Sequence, residues 1–235
     1  VAAIDQRGIG GSDKTPDSAD GMLLTQDLAA IVRSLGTSRA VVIGQGRGGF
    51  LAWSVAALEP DVVEGIMTVS APHPRTLQRL GTHLTLKTWR QVLKTLIPHY
   101  AAKRLADEKD LKRLLTDWSA PGNAGASGEA ANYAAALRLP EAASISLEQL
   151  RWSYLSTSKI NGREHIALTR RFVNATVWAV RGERDPLLPA RAWRKDLEFA
   201  RGNYRFIEVP DAGHFVQEEQ PGRVTDLVLE FLAQI

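Results

Sequence analysis

Residues 41–50, Val41-Val42-Ile43-Gly44-Gln45-Gly46-Arg47-Gly48-Gly49-Phe50, decide the fold. The apolar run up to Ile43 reads as a buried strand and the glycines as a tight turn. Phe50 to Leu58, apolar almost all round, reads as a buried helix. Two motifs compete for this segment. Gly44, Gly46 and Gly49 satisfy the dinucleotide fingerprint G-x-G-x-x-G, which requires an acidic residue at the end of the next strand to hold a ribose. The next strand ends at Val69-Ser70-Ala71, without Asp or Glu. The other motif is the elbow G-x-Nuc-x-G, a strained strand-to-helix turn that lifts a nucleophile over a sheet. Its nucleophile position is Gly46, which has no side chain.

Outward from this segment the pattern alternates. Val1 to Ile4 reads as a strand that enters the turn Arg7-Gly8-Ile9-Gly10-Gly11-Ser12. Leu24, Leu28, Ile31 and Leu35 repeat at helical spacing until Gly36 stops the helix. Ala40 to Ile43 and Val62 to Val69 are strands, the latter leaving at Ser70-Ala71-Pro72-His73-Pro74. No strand pattern follows until about Leu168. Leu80 to Leu96 predicts one or two helices, Ala120 to Gly128 a loop, and Leu147 to Tyr154 another helix. Strands resume at Thr176–Val180 and Phe206–Val209, and Val224, Leu227, Val228, Phe231, Leu232 and Ile235 form the stripe of a C-terminal helix. Alternation of this kind predicts an α/β fold with a mostly parallel sheet and right-handed crossovers. The division expected is a core in residues 1–72 and 169–235, interrupted by a helical cap in 73–168.

Composition narrows the function classes. The 235 residues include 44% hydrophobic and 23% charged, ordinary globular usage that excludes disorder and fibres. No cysteine is present, so disulfide scaffolds, iron–sulfur clusters and a cysteine nucleophile are excluded. No apolar run reaches the roughly 20 residues of a membrane helix, and a cytoplasmic protein without membrane contact is expected. The net charge of +3 is too small to imply nucleic acid. Its distribution is uneven: residues 71–168 hold 14 basic against 8 acidic groups, the remainder 15 against 18. That surplus predicts a solvated basic surface or a positive lid over an anionic substrate. His73, His83, His99 and His165 lack paired ligand spacing, so no metal and no cofactor is expected.

Two further loops carry chemistry. Asp185 in GERDPLLP follows one late strand, and His214 in DAGHFVQEEQP follows the next. An acid and then a histidine after an elbow complete the order nucleophile, acid, base. A separation of hydrogen-bond length between them is expected.

These motifs together resemble the α/β-hydrolase superfamily, and within it the epoxide hydrolase and haloalkane dehalogenase-like branch. IDQRGIGGSD resembles that branch's D-x-R-G-x-G-x-S turn, VVIGQGRGGFLAW its elbow, VSAPHP its exit into a cap, and GERDPLLP and DAGHFVQEE its acid and histidine loops. The resemblance implies a hydrolase of small organic substrates, of epoxide or ester type. It implies Asp185 and His214 as catalytic groups and the backbone N–H of Arg47 as an oxyanion donor. It also implies cap tyrosines that donate to the substrate oxygen, drawn from Tyr100, Tyr133 and Tyr154, with Tyr133 the best match. Arg7 is expected to pair with a carboxylate under its turn. The Arg47 guanidinium is expected either at the surface or in the space left by Gly46, binding an anion. The family order makes Val1–Ile4 the fourth strand, implying an N-terminally truncated fold that lacks three strands and the H-G-x-P loop. The alternative to a catalyst is a binding or regulatory module on the same fold, and a dinucleotide-binding protein is the third reading.

Overall fold

The computed structural model of the chain describes residues 1–79, 86, 90, 93 and 98–235. Among these, four strands form one sheet: β1 (Ala40–Gln45), β2 (Val63–Val69), β3 (Thr176–Gly182) and β4 (Tyr204–Val209), in that spatial order and all parallel. Parallel neighbours require long crossovers, and these place helices on both faces. Helix α1 (Gly21–Ser34) and helix α2 (Arg47–Leu58) cover one face. Ala29, Val32, Trp53 and Ala56 pack there on Val63 and Ile66. The last helix covers the other, with Leu227 and Phe231 on Met67, Val69 and Trp178.

Local chemistry sets the ends. The Asp20 carboxylate accepts from Met22 N–H at 2.8 Å and caps α1. Helix α2 is buried from Gly49 to Ala57, as its all-round apolarity requires.

Between β2 and β3 the described residues form helices, none pairing into the sheet. They are α3 (Pro74–Arg79), α4 (Pro98–Leu105), α5 (Glu108–Trp118), α6 (Gly125–Gly128), α7 (Ala130–Leu137), α8 (Ala142–Leu155) and α9 (Ile160–Leu168), followed after β4 by α10 (Val216–Glu219) and α11 (Pro221–Leu232). The helices expected over Leu80–Leu96 lie outside the described residues, apart from Leu86, Arg90 and Leu93. None of the described helices is long and apolar enough to cross a membrane.

Two expectations are corrected. Val1–Ile4 is exposed and forms no strand. No described strand lies beyond β1 to offer a ladder, and an unpaired strand would leave its N–H and C=O groups to water. Ala120–Gly128 is not loop throughout, because Gly125–Gly128 forms one helical turn. Asn123 Oδ1 accepts from Gly125 N–H at 2.9 Å and starts that turn.

Candidate active site

The β1–α2 turn is built by glycines with different duties. Gly46 sits between strand and helix at φ 50°, ψ −110°, a conformation costly for any residue with a side chain. Its N–H donates to Val69 O at 2.9 Å, and its carbonyl accepts from Phe50 N–H at 3.0 Å. A Cβ placed at Gly46 would meet no atom within 4 Å. A Cβ at Gly44 would fall 2.2 Å from the Gly48 carbonyl carbon, so helix and strand meet there backbone to backbone. Gly46→Ser has room but must adopt the strained φ, at about 1–3 kcal/mol. A melting temperature lower by roughly 2–12 °C is expected, from about 2–4 °C per kcal/mol in a chain of this size. Calorimetry checks it.

Asp185 and His214 meet. His214 Nδ1 lies 3.0 Å from Asp185 Oδ2, and the Asp185 side chain is fully buried. The other oxygen, Oδ1, accepts from Leu187 N–H at 2.8 Å and Leu188 N–H at 3.2 Å. With both oxygens accepting, the carboxylate holds the histidine proton on Nδ1 and leaves Nε2 as the basic nitrogen. Arg181 braces this loop: its Nε donates to Leu188 O at 2.9 Å, and its Nη1 donates to Glu208 at 2.6 Å and to Glu183 O at 3.1 Å.

The histidine loop is fastened from three sides. His214 N–H donates to Trp118 O at 2.8 Å, and the Trp118 ring stands edge-on to the imidazole at 5.6 Å. Ser70 Oγ donates to His214 O at 2.8 Å, from a residue held at φ 50° where β2 ends. The buried Glu219 carboxylate collects three backbone donors: Ala120 N–H at 2.7 Å, Gly213 N–H at 2.8 Å and Phe215 N–H at 3.1 Å. It ties the segment just after α5 to the histidine loop. Each buried donor left unsatisfied costs about 1–3 kcal/mol. Glu219→Ala is therefore expected to cost roughly 3 kcal/mol or more, a melting point lower by at least about 6 °C, with hydrogen exchange accelerated first at Gly213 and Phe215.

Gly46, Arg47, His214, Tyr100, Tyr133 and Tyr154 all line one cavity of about 900 Å³, with Asp185 behind the imidazole. The tyrosines differ. Tyr100 is exposed at the rim. Tyr133 donates its hydroxyl to Glu218 Oε1, so its proton is already committed. Tyr154 lies deep, where burial and then the Asp185 charge push its hydroxyl above the usual range. Arg47 does not fill the space above Gly46. Its Nη1 donates to Ser153 Oγ at 3.2 Å and its Nη2 to Ala19 O at 3.3 Å. Burial lowers its pKa to about 9.

Outside the cavity, Arg7 pairs bidentately with Asp27 at 2.6 and 2.7 Å, as expected. His73 and His165 are buried, which lowers their pKa to about 3 and about 4. No group of three or more His, Cys, Asp or Glu poised for a metal occurs among the described residues. Sequence reasoning missed Glu219, Ser70, Trp118 and Arg181. Only Glu219 had a local signal, as a carboxylate five residues after His214 in DAGHFVQEE.

A parallel sheet, a glycine turn feeding a buried helix, and an acid–histidine pair on successive strand-exit loops define a class. The chain belongs to the alpha/beta hydrolase fold family, whose model matches residues 1–221. Within that family its relatives place it in the epoxide hydrolase-like branch. It is similar to epoxide hydrolase 3 of Xenopus tropicalis, at 28% identity over all of this chain and 64% of the relative's length. It is also similar to epoxide hydrolase A of Mycobacterium tuberculosis, at 27% identity over 99% of this chain and 81% of the relative. The solved structure of the epoxide hydrolase CorEH without ligand superposes with a TM-score of 0.77 at 25% identity, covering 98% of this chain and 80% of that one. The chain thus spans just under two thirds of the first relative and about four fifths of the others.

Proposed function

We propose that the chain hydrolyses small organic epoxides, or esters of similar size, with the Asp185–His214 pair acting as a general base on water. The observation that carries this reading is the 3.0 Å contact between His214 Nδ1 and a buried carboxylate, with the imidazole lining a large cavity. Such a pair keeps its base in one tautomer and stabilises the imidazolium when it forms. In the proposed reaction His214 Nε2 takes a proton from water, and the water oxygen bonds to an epoxide carbon. The carbon–oxygen bond of the ring breaks, and the ring oxygen takes the proton of Tyr154. The proton on His214 then restores the tyrosine, leaving a diol and an unchanged protein. The Arg47 N–H, free at the first turn of α2, is the proposed donor to an ester oxyanion. The helices of residues 73–168 act as the cap, excluding bulk water over the strand ends.

A second reading rests on Gly46. Removing a nucleophile from such a site costs on the order of 10⁶ in kcat, which suits a non-catalytic binding module. Incubation with styrene oxide and with p-nitrophenyl acetate separates the two. The catalytic reading expects diol or nitrophenol above the buffer rate and no covalent adduct in the intact protein mass. Saturable binding of styrene oxide without product assigns the binding module.

A further inference from the structure

The sequence places a basic surplus over the middle of the chain, and two of the insert's cations that line the cavity are committed to a carboxylate. Arg104 and Arg113 both pair with Asp110, at 2.8 and 3.3 Å. Arg47 is different. It lines the cavity from the first turn of α2, and among the described residues no carboxylate lies within 4 Å of it. Its partners are one hydroxyl, one carbonyl and the face of Phe50, 5.0 Å from the guanidinium carbon. Its Nε–H is buried with no acceptor. The Asp20 carboxylate acts on it only at a distance, being held by Met22 N–H and by Asn161 Nδ2 at 2.8 and 2.6 Å.

A half-buried guanidinium with an inaccessible Nε–H, unused donors and no counter-ion is stabilised by an anion that completes it. Its fork matches a carboxylate in two-point geometry. The surrounding wall supplies Leu77, Leu150, Leu187 and Leu188, which suit an apolar body and not a bare inorganic ion. We propose that the cavity takes substrates bearing an organic carboxylate, whose charged end is held by the Arg47 guanidinium while the apolar body lies along the leucines. This deepens the hydrolase reading, since it names the substrate class of the same cavity, but it concerns binding and can fail separately.

The test is isothermal titration of the 235-residue protein with phenylacetate, with its neutral isostere phenylacetamide, and with inorganic phosphate. The proposal expects phenylacetate to bind at least about tenfold tighter than phenylacetamide, and phosphate to bind more weakly than phenylacetate. Arg47→Gln is expected to erase that preference and Arg47→Lys to retain part of it. Equal affinities of the two isosteres in the unaltered protein overturn the proposal without recourse to any variant. Tighter binding of phosphate also overturns it, as does a preference that survives in a folded Arg47→Gln protein. Arg47-dependent binding of phenylacetate with no turnover of any epoxide or ester would sink the hydrolase reading and leave this one standing.

Discussion

His214→Ala is expected to lower the turnover of an epoxide substrate by about 10²- to 10⁴-fold, the range of a positioned general base. Among the described residues the imidazole is the one nitrogen base of the cavity that an acid orients: Asp185 holds Nδ1 at 3.0 Å and is itself fixed by Leu187 and Leu188 N–H. Asp185→Asn keeps the shape and loses the orientation. An amide can present its NH₂ to Nδ1, which forces the proton to Nε2 and abolishes the base. A comparable loss is expected, with the melting temperature changed in Asp185→Asn more than in His214→Ala. The reason is that Asp185 is fully buried, whereas the His214 side chain is 10% exposed towards the cavity. Steady-state rates of both variants, beside their melting curves, check this. Activity within about threefold of the parent in either variant would remove the pair from the mechanism.

A large effect on the fold itself is expected at Gly44. An alanine Cβ there would lie 2.2, 2.4 and 2.6 Å from the carbonyl carbon and oxygen of Gly48 and the nitrogen of Gly49. All three are backbone atoms of the first turn of α2, so no side chain can swing aside, and the helix itself must move off the strand. Overpacking of this kind costs about 1–3 kcal/mol and sometimes more. Moving α2 also loosens Phe50, Trp53 and Ala56, all buried on the sheet. A fall of roughly 2–12 °C in melting temperature, or loss of soluble protein where the cost is greater, is the expected result. Gly222→Ala is the control, because a Cβ at Gly222, within α11, meets nothing within 4 Å and alanine favours a helix. If Gly44→Ala melted with Gly222→Ala, the close approach of helix and strand described here would be wrong.

What could be read from the residues follows the range of the interactions. The turn at Gly46, the acid loop and the histidine loop are local: each is a strand exit with its own glycine, proline or aspartate chemistry, so their order along the chain was visible. The sheet core was visible for the same reason, since β2 and β3 are buried on both faces and read as continuous apolar runs. The fastening of the site was not. Ser70 reaches His214 across 144 positions, and Glu219 reaches Ala120 across 99. A serine ending a strand and a glutamate in a short helix carry no sign of such partners. Val1–Ile4 failed in the opposite sense: its composition suits a strand, but a strand exists only with a neighbour. The tyrosines show a third limit. Their presence was legible, yet which hydroxyl is committed depends on Glu218 standing opposite Tyr133.

In the proposed reaction, water activated by the Asp185–His214 pair attacks the substrate directly, since Gly46 offers no side chain for a covalent intermediate. A single turnover in H₂¹⁸O, with protein in excess over styrene oxide, distinguishes direct attack by water from attack by the protein. The diol formed in that first turnover is expected to carry the solvent ¹⁸O, with the protein mass unchanged. Unlabelled diol from that turnover, with ¹⁸O gained by the protein in the same turnover, would show attack by a protein carboxylate and contradict the proposed reaction.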